Sequence, residues 1–311
     1  MGMRIGISLG TSFSTDGPHR QREGPRAVLS QARAANLASL DTLTLGDHHS
    51  TGPAGYLQNV PMLGRVLAEW GERPVGALFL VPLWHPVLMA EQIGTLAVMS
   101  SGPFIIQTGL GAGADQFRAM GADLEQRSAR LEEGILVVQA LLRGETVASE
   151  IFAIHGARVA PIPPDGTEWW IGGGVGKAID RAARLGDCWY GNADLTLETA
   201  ARDIGIYQEA CARHGRIPVR IPIRKDVFIA EKRSEAERVG DALVAAGYRG
   251  FERDAVAYGD PDSVAEQLSG FGDLGFTDII IRTMAPLPSE LGPDAAARSV
   301  ELAAEVRARF S

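Results

Sequence analysis

Short apolar runs alternate along most of this chain with longer stretches in which apolar residues recur every third or fourth position. The first pattern predicts strands and the second helices. Arg4–Leu9 reads as a strand followed by a helix from about Pro25 to Leu37; Thr42–Leu45 and Leu57–Trp70 form the next unit. Val75–Val81 with Pro86–Met99, and Phe104–Thr108 with Leu124–Leu142, continue the rhythm. Trp169–Ile171 with Lys177–Leu185, Cys188–Tyr190 with Leu197–His214, and Val219–Ala230 with Glu235–Ala246 extend it. Ser263–Leu274 is an additional helix, Thr277–Arg282 the last strand and Ala295–Phe310 the closing helix. Strands alternating with helices imply a parallel sheet, and eight such units close most simply into a (β/α)8 TIM barrel. The rhythm breaks between about residues 147 and 164, where Ile151, Ala153 and Ile154 against Val159, with His155-Gly156 between them, predict a β-hairpin insertion.

Composition narrows the class. A chain of 311 residues with 45% hydrophobic and 22% charged residues buries a large core, and barrels of this length are commonly one domain, so residues 1–311 are expected to form a single domain. The net charge of −8 argues against nucleic acid as a partner, because phosphate-backbone binding needs a basic footprint. No apolar run is long enough for a membrane span and no cationic, apolar leader is visible, so a cytoplasmic protein is expected. Cys188 and Cys211 have neither disulfide-framework nor metal-ligand spacing, and read as buried or incidental thiols.

A barrel places its chemistry at the C-terminal ends of the strands. Asp47, His48 and His49 directly follow the second strand; imidazoles suit proton transfer near neutral pH, and a neighbouring carboxylate fixes a tautomer. A metal site is poorly supported, since no His-Glu-x-x-His or similar spacing occurs. The alternative for both imidazoles is a hydrogen bond to loop backbone. A mainly apolar pocket is expected, lined from the loops by Phe13, Leu83, Trp84 and His85, with His49 beside them; Trp84 equally suits the core. The charged stripe Arg127, Arg130, Glu132 and Glu133 reads as a solvated helix face.

Two glycine clusters invite a phosphate. Trp169-Trp170-Ile171-Gly172-Gly173-Gly174-Val175-Gly176-Lys177 runs from a strand through a tight turn into a helix, whose first N–H groups lack intrahelical partners. The bland alternative is a βα turn whose glycines only permit close packing. Ala178 stands where a P-loop needs Ser or Thr, so a nucleotide P-loop is excluded. Gly109-Leu110-Gly111-Ala112-Gly113-Ala114 weakly matches a dinucleotide fingerprint, the rival Rossmann reading, but a long helix follows it and no acidic residue ends a next strand.

The block Pro164, Trp169 to Gly174, Ala178, Arg181, Ala182, Ala183, Asp187 and Trp189 resembles the flavin-phosphate block of luciferase-like monooxygenases. Gly46-Asp47-His48-His49, His85-Pro86 with Ala90 and Gln92, Gly109 to Gly113, Arg127 to Gly134, and Gly259-Asp260-Pro261 with Val264, Gln267 and Leu268 resemble further blocks, in the family's order. The resemblance implies an oxidoreductase, with reduced FMN and oxygen acting on a small organic substrate. It implies a cofactor held by Gly76, Ala77, Gly109, Gly111, Gly172, Gly173, Gly174, Val175 and Gly176, and His48 near its ring as catalytic residue with Asp47. It also implies a non-prolyl cis peptide at Gly76-Ala77, for which a plain trans glycine in a buried strand is the alternative, a hairpin near residues 147 to 164, a separate flavin reductase as partner, and a homo-oligomer. Glu-His-His is frequent in the flavin enzymes and Asp-His in relatives using the deazaflavin coenzyme F-420, so Asp47-His48-His49 is compatible with either cofactor. The glucose-6-phosphate dehydrogenase branch of the deazaflavin enzymes carries a glutamate acid where this chain has Ala114; Asp115 is adjacent. A barrel that binds ligand without catalysis is the third reading.

Overall fold

The computed structural model describes residues 2–52 and 54–310. Met1–Gly10, Arg26–Leu43 and Gly173–Ser311 form one compact unit, and Thr11–Pro25 with Thr44–Gly172 the other.

In the first unit the strands Arg4–Leu9, Asp278–Thr283, Pro222–Ile229 and Val256–Gly259 lie side by side in that order. Every pairing is parallel, with Ile5 opposite Ile279, Asp226 opposite Arg282 and Phe228 opposite Tyr258. Gly191, just past the strand Cys188–Tyr190, bridges Ile223 in parallel. Helices Gly176–Leu185, Leu197–Arg213, Arg233–Ala245, Pro261–Asp273 and Ala295–Ala308 belong to the same unit. The Gly259-Asp260-Pro261 motif is a helix start: the Asp260 carboxylate accepts from Ser263 N at 2.8 Å, and Pro261 takes a position where a missing N–H costs nothing.

In the second unit the order is Leu43–Leu45, Val75–Leu80, Phe104–Gly109 and Thr167–Gly172. Phe104 through Thr108 are buried at every position, which a parallel strand covered on both faces requires and which explains the unbroken apolar run there. Helices Asn59–Trp70, Pro86–Met99, Ala114–Ala119 and Arg127–Leu142 belong to this unit. Ser12–Phe13 pairs antiparallel with Gly55–Tyr56, and Val147–Ser149 with Ile154–Ala157.

The alternating parallel strands and helices agree with the α/β pattern in the sequence, with local differences of which three bear on the site or the sheet. The first helix begins at Pro18 rather than near Pro25, and carries Pro25 within it. The turn of the Val147–Ala157 segment falls at residues 150–153, where Ala153 takes φ of 50°; His155 and Gly156 lie in the returning strand. Val256–Gly259, absent from the sequence reading, is a strand paired along Asp226–Ile229. Its four residues are too few to show a period.

The candidate active site

The loop after Leu43–Leu45 is organised by one carboxylate. Asp47 is buried, and its Oδ2 accepts from the Leu80 backbone N at 2.8 Å and from Trp84 Nε1 at 2.8 Å. His49 Nε2 lies 3.1 Å from Oδ1 and 3.2 Å from Oδ2. An ionised carboxylate only accepts, so His49 donates through Nε2 and its neutral form keeps Nδ1 as an acceptor. The Trp84 ring meets His49 edge-on at 5.5 Å and Phe79 at 5.3 Å, so Trp84 packs against both while its indole donates to Asp47.

His48 faces elsewhere. Its ring stacks on Tyr56 at 3.9 Å, tilted by 31°. Gln58 donates to the His48 carbonyl at 2.8 Å and Gln116 to the His49 carbonyl at 2.7 Å, so two amides clamp the loop's backbone. Tyr56, Gln58 and Gln116 escape the sequence reading because they act through long-range contacts. The Asp47–His49 pairing does carry a sequence signal: in an extended chain residues two apart share a face, while His48 between them points away.

The Gly76-Ala77 peptide is trans, a correction to the cis bond that the resemblance implied; among the described residues the cis peptides are Ala160-Pro161 and Ala285-Pro286. Gly76 sits opposite Ile105 and Ala77 opposite Ile106 in an unbroken parallel ladder, which a trans backbone satisfies. Glycine is required at 76 for another reason. A Cβ there would overlap the Ile105 carbonyl oxygen. Gly109 ends its strand against Leu78 and Leu80, and Gly111 turns the chain with φ of 74° toward the helix Ala114–Ala119, which brings Gln116 to His49.

Phe13 is wedged beside Gly24 and Gly55, both of which lack the Cβ that would strike it. Leu83 is buried; His85 is exposed at the start of the helix Pro86–Met99. Asp115 is almost fully exposed and pairs with Arg118 at 3.0 Å. Arg130 differs from a solvated stripe residue: its Nε donates to the Pro82 carbonyl at 3.1 Å and its guanidinium lies 4.4 Å over Phe152. Burial there pushes its pKa down.

The glycine turn joins the strand Thr167–Gly172 to the helix Gly176–Leu185. A Cβ on Gly173 would overlap Ala178, and one on Gly174 would come within 2.7 Å of Asn192 Nδ2. Trp189 Nε1 donates to the Gly173 carbonyl at 2.8 Å and fixes the turn from the next strand. Val175 starts the helix without a side-chain cap, and Gly176 has open space around it. Uncapped N–H groups at a helix start, reached past residues without side chains, suit a phosphate. The donor set fits that group.

Among the described residues no cluster of His, Cys, Asp or Glu has metal-ligand geometry, no helix is long and apolar enough to cross a membrane, and the buried Cys188 and Cys211 form no disulfide.

These features define a parallel α/β protein with polar chemistry just beyond its strand ends. The sequence profile of luciferase-like monooxygenases matches residues 3–278, and the chain belongs to that family of oxidoreductases. It is 24% identical over 304 residues to the F420-dependent glucose-6-phosphate dehydrogenase of Beutenbergia cavernae, covering 82% of this chain and 87% of that one. It is also 24% identical over 222 residues to the FMNH(2)-dependent dimethylsulfone monooxygenase of Pseudomonas fluorescens, covering 70% of this chain and 59% of the other. The FMN complex of the oxygenating constituent of 3,6-diketocamphane monooxygenase, from a Pseudomonas putida plasmid, superposes with a TM-score of 0.83 at 16% identity, covering 100% of this chain and 99% of that one. The last likeness speaks to the fold.

Proposed function

We propose that this oxidoreductase uses reduced FMN and molecular oxygen on a small organic substrate, and that residues 1–311 act as one (β/α)8 barrel domain with a hairpin insertion near residues 147 to 164. The observation that carries the cofactor reading is the helix start: Val175 gives it no side-chain cap and Gly176 has open space around it, so its first N–H groups are offered to a phosphate. Gly172, Val175 and Gly176 would complete the phosphate cradle, and Gly76, Ala77, Gly109 and Gly111 remain proposed cofactor-binding positions. Bound reduced FMN would supply the electrons and the reaction with oxygen.

The chain's own residues do the rest. Asp47 locks His49, Trp84 and the backbone of Leu80 into one arrangement, so it works as a positioning residue for the loop that carries His48. His48 is the proposed catalytic residue, moving a proton beside the ring; Tyr56 stacked on it sets its orientation. His49, Leu83, Trp84, His85 and Phe13 are the proposed substrate wall, and the apolar members exclude water. A separate flavin reductase and a homo-oligomeric state complete the proposal.

The alternative is hydride transfer with coenzyme F-420, favoured by one observation: an aspartate, not a glutamate, precedes His48. Stopped-flow reoxidation of reduced FMN tests the main reading. Reoxidation in the presence of the protein is expected to differ at least tenfold in rate from that of free flavin, and His48→Ala to abolish most of the difference. A rate equal to that of free flavin with excess protein would contradict it.

A further inference from the structure

The sheet of the first unit forks along the strand Pro222–Ile229. On one edge Arg224 N donates to Gly191 O, and further on Ala230 N donates to Gly259 O, each at 3.1 Å. The neighbour on that edge therefore changes from the end of Cys188–Tyr190 to Val256–Gly259, whose ladder begins opposite Asp226. Lys225 stands at the change. Beside it opens a cavity of about 350 Å³ with a buried apolar floor of Val256, Leu268 and Phe271, and Lys225 forms part of its wall.

Lys225 is 1% exposed; its Nζ donates to the carbonyls of Leu195 and Ala193, and among the described residues it makes no ion pair. Burial pushes its pKa down to about 8, with Arg224 adding to this and Asp226 and Asp194 opposing. In the whole sequence 30 residues are lysine or arginine, and only Lys177, Lys225 and Lys232 are lysines; Lys177 and Lys232 are exposed. The residue type matters at the buried position. A guanidinium stays protonated, whereas an amine desolvated in an apolar cavity gives up its proton and becomes a nucleophile toward carbonyl carbon. The proposed flavin chemistry makes no use of it. At the exposed mouth stand the carboxylates of Glu198, Glu252 and Asp254 against one guanidinium, that of Arg253, which lies over Tyr258. That acidic excess turns anions away.

We propose that Lys225 is a covalent site for a small neutral aldehyde, which the cavity admits and the amine holds as an imine. The site does not rest on the flavin reading. The neutral Nζ attacks the carbonyl carbon with its lone pair, a proton passes from nitrogen to the carbonyl oxygen, and water leaves as the C=N bond forms. Amine and aldehyde give imine and water, with no oxidant or reductant. A protonated imine keeps one N–H, and the Leu195 carbonyl, 2.6 Å from Nζ, is placed to accept it.

The test is reductive trapping of the full chain with butanal and cyanoborohydride at pH 8, read by peptide mass spectrometry, with Lys177 and Lys232 as references in the same molecule. At that pH about half of the Lys225 amine is neutral, against roughly one in a hundred or less of an ordinary lysine. Lys225 is expected to be alkylated at least tenfold faster than either reference, and all three to be labelled alike in urea. Ala257→Leu, which puts a longer side chain into the cavity wall, should slow labelling at Lys225 alone by at least fivefold in protein with unchanged circular dichroism. Glyoxylate, an anionic aldehyde, should label Lys225 at least tenfold more slowly than butanal, and Glu198→Gln combined with Asp254→Asn should narrow that gap. Labelling of Lys225 no faster than that of the exposed lysines in the folded protein would overturn the site. Unchanged labelling in folded Ala257→Leu would overturn the cavity as its location, and equal rates with glyoxylate and butanal would overturn the neutral ligand.

Discussion

Asp47 shows how much one residue decides. It satisfies a backbone N–H, an indole and an imidazole at once, all within its buried surroundings. Asp47→Ala removes the shared acceptor and leaves the Leu80 N–H and the Trp84 indole unpaired, so unfolding in urea is expected to show a loss of about 2–4 kcal/mol. Asp47→Asn retains one acceptor and should cost about half as much; equal stability of Asp47→Ala and wild type would refute this role. The sequence made the carboxylate and both imidazoles legible as a group. It did not separate them: His48 belongs with Tyr56 and His49 with Asp47, because Tyr56 arrives on a two-residue antiparallel strand that no periodicity marks.

Legibility did not follow length: the three-residue strand Cys188–Tyr190 lies at its expected bounds, while the twenty-residue helix Pro18–Leu37 starts seven residues before its expected start. Pro86–Met99 coincides with its expected bounds, and the strand Arg4–Leu9 does as well. Pro222–Ile229 contains Lys225, a cation inside a run that reads as a strand, and its setting explains how it is tolerated. Its Nζ donates to the carbonyls of Leu195 at 2.6 Å and Ala193 at 3.4 Å, and lies 4.6 Å over the Phe271 ring. Those contacts tie the strand to the loop that carries Asn192 against the glycine turn. Burial pushes its pKa down to about 8, against partial support from Asp226 and Asp194. The unfolded chain holds that proton up to about pH 10, so unfolding takes up a proton between the two values, and stability from this group rises as the pH climbs from 8 to 10. Lys225→Met should remove that rise. Urea midpoints measured from pH 7 to 10 check it, and parallel profiles for variant and wild type would contradict it.

For the whole molecule, parallel strands alternating with helices followed from sequence because each buried strand needs an apolar run and each covering helix a periodic face. The trans Gly76-Ala77 peptide did not, because the resemblance carried a backbone geometry that local pairing with Ile105 and Ile106 replaces. A flavin phosphate held at Gly172 to Gly176 is open to fluorescence titration. The purified protein is titrated with reduced FMN and, separately, with coenzyme F-420, alongside Gly173→Val, whose side chain would overlap Ala178. Saturable FMN binding is expected, with weaker F-420 binding and at least a hundredfold loss in Gly173→Val with its circular dichroism unchanged. Binding of F-420 alone would install the hydride-transfer alternative; binding of neither, or undiminished affinity in folded Gly173→Val, would contradict a phosphate site at this turn.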